Sequence, residues 1–291
     1  MRSSVVLILL ALAASACTKP PEERRFTLHG QIVAIGSTRQ EATIKHDEIK
    51  GLMPAMTMPY KVQETKLLDG VTPGDLVDAT LVIVPNDAYL IEIRKAGRAP
   101  LEQPPAEAPP AASSGVEVLK PGERVPDAVF LDQDGRRRNF GSFRGQTVVL
   151  TFIYTRCPMP TFCPMMDRQF AAIQTKLKED PALAGLRPRV RLLSVSFDPL
   201  VDTPPVLKKH ARTVGADTKT WSFLTGGRDD IDRFVARFGV SVVRAANDQR
   251  DITHNLRTAI VDPAGTVVKI YTGNEWTPDQ VLADLKKGAG V

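Results

Sequence analysis

Residues 147–166 read TVVLTFIYTRCPMPTFCPMM. Residues 147–154 are apolar or β-branched without a break, the pattern of a strand covered on both faces. Pro158, Pro160 and Pro164 then interrupt the chain, with Cys157 and Cys163 set among them. A helical pattern begins near residue 164, so a buried strand leads through a thiol pair into a helix. A disulfide, a redox couple and a metal site would each use such a pair. The surrounding chain has to decide between them.

On the C-terminal side the alternation continues. Strand patterns recur at RVRLLSVSF (189–197), RTAIVD (257–262) and VVKIYTG (267–273), with helical patterns near 164–179, 204–214, 228–238 and 277–287. DPAG at 262–265 marks a hairpin between the last two strands. Strand–helix–strand units closed by a hairpin and a helix predict an α/β thioredoxin-like domain over 116–291.

Upstream, AGRAPLEQPPAEAPPAASSG (96–115) is rich in Pro, Ala and Ser and reads as a semi-rigid linker. Such a linker implies that the modules on either side move independently. Ahead of it, FTLHGQIVAIG, EATIKHDEI, MTMPYKV, DLVDATLVIV and AYLIEIRK are short β patterns parted by Gly, Pro, Asn and Asp. With no helical period among them, residues 26–95 are expected to form a small all-β, OB-like barrel. The expected fold class is thus two domains, the barrel followed by the α/β thioredoxin-like layer.

At the N-terminus, Arg2 precedes an apolar run at 5–14 that is too short to span a bilayer and has the form of an export signal. Ala14, Ser15 and Ala16 before Cys17 resemble a bacterial lipobox, with Ala14 where such motifs usually carry leucine. Residues 1–17 are therefore expected to be a signal peptide with Cys17 lipidated; cleavage near Ala16 without lipidation is the alternative. The expected location is the bacterial periplasm, as a membrane-anchored lipoprotein. Of the 3 cysteines, Cys157 and Cys163 then carry all the thiol chemistry. Charge is mixed, 38 Lys plus Arg against 33 Asp plus Glu, and the scattered +5 excess does not point to nucleic acid. Arg136, Arg137 and Arg138, after Asp134-Gly135, read as a solvated hairpin.

The spacing of the thiols is C-x5-C, not the C-x-x-C of thioredoxin-type redox enzymes. A nearby helix N-terminus and Arg156 favour thiolates, which both redox exchange and metal ligation require. A third ligand would come from His254 in DITHNLRTAIVD, on the turn that approaches the cysteine loop in a thioredoxin-like layer. Redox members usually place a cis-proline there, and no proline lies between Ala245 and Val261. Cys2His with an open position suits copper(I) or copper(II). A histidine that only hydrogen-bonds within its loop is the alternative. His210, in LKKHAR, reads as solvent-facing, and Asp202 or Thr203 of DPLVDT as the cap of the following helix, with Asp198 and Asp202 also near enough to shape the site.

In the small module, IKHDEIKGLMPAMTMPY (44–60) holds Met53, Met56 and Met58 within six residues. In a strand Met56 and Met58 share a face, and His46 would meet that face across the sheet. Thioethers and imidazole suit copper(I) or silver(I); methionine as core filler is the alternative. With HGQIVAIG, His46 and Pro54–Met58 (PAMTM), residues 26–95 resemble the periplasmic copper- and silver-binding CusF family. That resemblance makes His46, Met56 and Met58 the ligands. Met53 replaces the tryptophan that caps the ion in the family's type member, leaving capping, ligation and packing open for it.

PDAVFLDQDG, TFIYTRCPMPTFCP, VSFDPLVDTPPVLKKHA, FLTG and THNLRTAIVDPAG together resemble the Sco/SenC family of copper-binding assembly factors over 117–288. The resemblance implies copper bound by Cys157, Cys163 and His254. The family's usual spacing is C-x3-C, so this loop carries two extra residues. The function implied is a copper chaperone delivering to the copper A centre of a cytochrome c oxidase, or to another periplasmic copper protein. Two alternatives stand beside it: a thiol-disulfide oxidoreductase using Cys157 and Cys163, and a copper-tolerance protein that sequesters metal.

Overall fold

The structure is a computed structural model that describes residues 23–101, 116–244 and 252–289. The export-signal and lipobox expectations, Cys17 included, and residues 102–115 of the linker lie outside the described residues. No helix among the described residues is long and apolar enough to cross a membrane.

The first domain is a closed five-stranded barrel of β1 (Arg24–Ile35), β2 (Glu41–His46), β3 (Met56–Val62), β4 (Asp75–Val84) and β5 (Asp87–Arg98), in the order β1-β2-β3-β5-β4. Neighbours are antiparallel except β3 and β5. Alternation fixes which side chains face inward: Met58, Tyr60 and Val62 of β3 are buried, while Thr57, Pro59 and Lys61 are exposed. Leu28, Ile32, Ile44, Leu81 and Leu90 fill the centre. β3 meets β5 through Lys61 and Val62, and its methionine-bearing first half lies beyond that pairing, at one end of the barrel. β5 runs three residues past position 95, pairing Arg98 with Asp75.

Gly30 governs how closely β1 approaches β2. A Cβ there would lie 2.6 Å from the Lys45 carbonyl oxygen and 2.8 Å from the Cα of His46, so glycine alone permits this contact. Gly30 faces His46 in the register. The histidine's position is thus set by the absence of a side chain opposite it.

The second domain is a seven-stranded sheet flanked by helices. In chain order it comprises β6 (Val129–Asp132), β7 (Arg137–Asn139), β8 (Thr147–Ile153), α1 (Cys163–Glu179), β9 (Val190–Ser196), α2 (Pro204–Thr213), β10 (Trp221–Thr225) and α3 (Arg228–Arg237). It is completed by β11 (Val242–Arg244), β12 (Ile252–His254), β13 (Arg257–Val261), β14 (Val267–Thr272) and α4 (Pro278–Ala289). The sheet order is β14-β13-β8-β9-β10-β6-β7, with β8, β9 and β10 parallel; β11 and β12 form a separate ribbon. β8 is buried at every residue from Val148 to Ile153, as a central parallel strand must be. α1 packs Met166, Phe170, Ile173 and Leu177 into the core at helical spacing. This is the thioredoxin-like layer expected from the sequence.

The two domains pack together, contrary to the independent motion that the linker composition implies. Met159 lies in the barrel's hydrophobic cluster, and Cys157 and Phe162 pack against it. Arg168 of α1 donates to the Asn86 carbonyl at 3.4 Å. The physical reason is apolar: the tip of the cysteine loop carries large hydrophobic side chains, and the open end of the barrel is where they lose contact with water.

Candidate metal centres

His46 ends β2 and stands opposite Met56; Ile44 stands opposite Met58. The imidazole is 2 % exposed. Its Nδ1 lies 2.6 Å from the Asp47 carbonyl oxygen, and because a carbonyl only accepts, Nδ1 carries the proton. Nε2 is left with a lone pair, buried and without a hydrogen-bond partner. Burial lowers the His46 pKa and keeps the ring neutral. An unpaired buried nitrogen costs about 1–3 kcal/mol, a cost that a bound soft cation would offset. The Tyr60 ring meets His46 edge-on at 5.6 Å, and its hydroxyl donates to the Met53 sulfur at 3.8 Å. Met53 is buried through a tight Ile49–Met53 bridge, so it sits within the barrel mouth beside Met58.

The second constellation gathers at the head of β8. Cys157 is half-buried in the loop, and Cys163 opens α1, fully buried. No disulfide joins them. The Cys163 thiol donates to the Cys157 sulfur and, helped by His254 against the opposing effect of burial, holds Cys157 well below the ordinary thiol range. Burial, then the neighbouring Cys157 sulfur, pushes Cys163 well above it. The sequence suggested thiolates at both positions; the two thiols instead shift in opposite directions, because neighbouring sulfurs disfavour double ionisation. Arg156, counted there as an acidifying neighbour, is committed to Asp198, with Nε 2.7 Å from the carboxylate.

His254 ends β12 and reaches the pair. Its Nε2 lies 3.8 Å from the Cys163 sulfur, and Nδ1 donates to the Asn255 carbonyl at 3.0 Å. The ring is wedged between Phe197 at 4.6 Å and Tyr154 at 5.4 Å. Both histidines therefore use one device, in which Nδ1 is tied to the next residue's carbonyl and Nε2 is presented. A sulfur–nitrogen gap of 3.8 Å suits two donors bonded at about 2.3 and 2.0 Å to one ion. Among the described residues, no three His, Cys, Asp or Glu donors are already arranged around an ion position.

Asp202 does not take the capping role favoured for it but the other one, shaping the surroundings of the site. Thr203 occupies the N-cap of α2 and makes no side-chain cap bond, and Asp202 turns inward instead. It accepts from the Thr155 backbone N–H at 3.0 Å, from the Thr155 hydroxyl and from Ser196 Oγ at 2.6 Å. With Asp198 on Arg156, it ties the start of the cysteine loop to the end of β9. Such a cross-chain link leaves no local signal in the sequence. His210 also departs from expectation. It is not solvent-facing but sits under α1, Nε2 2.9 Å from Asp167 Oδ2. His29 is exposed and paired with Asp78 at 2.6 Å.

The two constellations face each other. A cavity of about 160 Å³ between the domains is lined by Met53, Met56 and Met58 on one wall and by Cys157, Met159 and His254 on the other. Met56 also borders a second cavity, which His46 lines. Cysteine loop, barrel methionines and His254 thus share one cavity, and Met56 connects it to the one that His46 lines.

Comparison with known proteins agrees with this division. The family model described as SCO1/SenC matches residues 122–290, and the one described as copper binding periplasmic protein CusF matches 25–95. An SCO1 protein homolog of Bacillus subtilis is 31% identical over 181 residues, covering 61% of this chain and 90% of that protein. The crystal structure of a SCO1/SenC family lipoprotein from Bacillus anthracis is 29% identical, with a TM-score of 0.51 over 59% of this chain and 99% of that one. BsSco, described as a member of the Sco family of cytochrome c oxidase assembly proteins, is 29% identical over 60% of this chain and 99% of its own, with a TM-score of 0.49. The chain belongs to the SCO1/SenC family, with a CusF-like copper-binding domain joined to its N-terminal side.

Proposed function

We propose that this protein is a copper chaperone that works outside the cytoplasm. It collects copper(I) in the barrel at His46, Met56 and Met58, with Met53 beside them. It holds copper for delivery at Cys157, Cys163 and His254. The observation that carries this reading is the buried, partnerless Nε2 of His46, set beside thioethers. Soft, uncharged donors select copper(I) or silver(I), and thiolates with imidazole accept copper in either common state. The Sco family's association with cytochrome c oxidase assembly makes a copper A domain the favoured acceptor. The lipobox at Cys17 would keep the chaperone at the membrane where such an oxidase sits.

The opposite shifts of the two thiols, Cys157 lowered and Cys163 raised, also favour a second role, in which Cys157 attacks a target disulfide and Cys163 resolves it. The two roles are compatible, since a reduced pair is needed to load copper.

Delivery is tested by mixing the copper(I)-loaded full chain anaerobically with a metal-free, reduced copper A domain and measuring copper on each after separation. Copper is expected to move to the acceptor from the intact chain and not from a Cys157→Ser, Cys163→Ser chain. Copper that stays on the intact chain in the presence of excess acceptor would instead support sequestration.

A further inference from the structure

The residues between Cys157 and Cys163 do more than space the thiols. Met159 is 5 % exposed, and the hydrophobic cluster that encloses it is the barrel's, not that of its own domain. Its backbone belongs to the cysteine loop, and its carbonyl lies 3.9 Å from the Cys157 sulfur. One residue thus belongs to both sides, its backbone in the cysteine loop and its side chain in the barrel's cluster, lining the same cavity as Met53, Met56 and Met58. Independently, the partnerless Nε2 of His46 marks the barrel side as a place for a soft cation.

We infer that Met159 is a relay ligand, whose thioether accepts copper(I) from the barrel methionines and hands it to Cys157 within the cavity between the domains. The inference rests on the copper reading above. A bare cation in an apolar cavity is strongly disfavoured, so a neutral soft donor between the two sites keeps the ion ligated at every stage. The bonds to His46, Met56 and Met58 break as the bond to Met159 forms, that bond breaks as Cys157, Cys163 and His254 bind, and copper stays in the +1 state. The proton displaced when Cys163 ligates leaves to solvent. Because the donors face each other across a shared cavity, the ion crosses without release to competing thiols or chelators. The two residues that this loop has beyond C-x3-C supply the length that brings a methionine to the barrel.

The test uses the full chain, reduced and anaerobic, offered copper(I) as a chelator complex, with arrival at the cysteines followed by the thiolate-to-copper charge-transfer band. Met159→Leu keeps the apolar volume and removes the donor. Arrival is expected to slow by about tenfold in this variant, with the final amplitude and the two-ion stoichiometry kept. A Met56→Leu, Met58→Leu chain gives the rate of direct entry, which the Met159→Leu rate should approach. In wild type labelled at methionine methyl carbons, silver(I) as a redox-inert probe should shift the Met159 methyl together with those of Met56 and Met58. An unchanged arrival rate in Met159→Leu overturns the relay while two-ion binding leaves the copper reading intact. A chain that binds no copper overturns both.

Discussion

Replacing His254 with alanine is expected to weaken copper(I) binding at the cysteine site by about a hundredfold or more while leaving the barrel site unchanged. Loss of an outer-shell partner commonly costs ten- to a hundredfold in metal affinity, and His254 is read here as a direct ligand. Its Nε2 is presented 3.8 Å from the Cys163 sulfur by the Asn255 carbonyl, and Phe197 and Tyr154 hold the ring in place. A hundredfold loss corresponds to about 2.7 kcal/mol. Competition against a copper(I) chelator measures it, with His29→Ala as the control, since His29 is exposed and paired with Asp78. An affinity in His254→Ala equal to that of wild type would remove His254 from the ligand set and return it to the alternative of a loop histidine that only hydrogen-bonds.

Asp202→Ala is expected to be the most destabilising single change near the site, by about 3 kcal/mol. The carboxylate is fully buried and accepts from the Thr155 N–H, the Thr155 hydroxyl and Ser196 Oγ. Ser196 in turn accepts from the Asp198 N–H at 3.0 Å, so the network reaches the residue that holds Arg156. Alanine strands several donors at once, and each unsatisfied buried group costs about 1–3 kcal/mol. For a domain of this size, 3 kcal/mol lowers the melting temperature by about 6–12 °C. Asp202→Asn keeps one acceptor oxygen and should lose less. Thermal unfolding of the full chain reads both, and an Asp202→Ala chain that melts with wild type would mean that the loop is held by other contacts.

Most of the architecture was legible because periodicity reports burial. All five barrel strands appear where alternating runs were read, and α1 to α4 begin and end within two residues of the helical patterns. The β11–β12 ribbon and strands β6, β7 and β10 were not read as strands, since runs of three to five residues carry too little pattern. For the site, the candidate donors could be named from residue type and family resemblance, and the structure places His254 beside Cys163 and His46 opposite Met56. What could not be read was their coupling. The ionisation asymmetry of Cys157 and Cys163 arises from their mutual contact, and the burial of His210 from Asp167 on another helix. The packing of the two domains was hidden because linker composition describes the tether and says nothing about the surfaces it joins. Met159 looked like one more loop residue until the barrel was seen around it.

Anaerobic copper(I) titration of the intact chain against a competing chelator tests the central claim most directly. Two bound ions are expected, one lost in Met56→Ala, Met58→Ala and the other in Cys157→Ser, Cys163→Ser. Binding of fewer than two ions by the intact chain, or of two by the cysteine double variant, would contradict it.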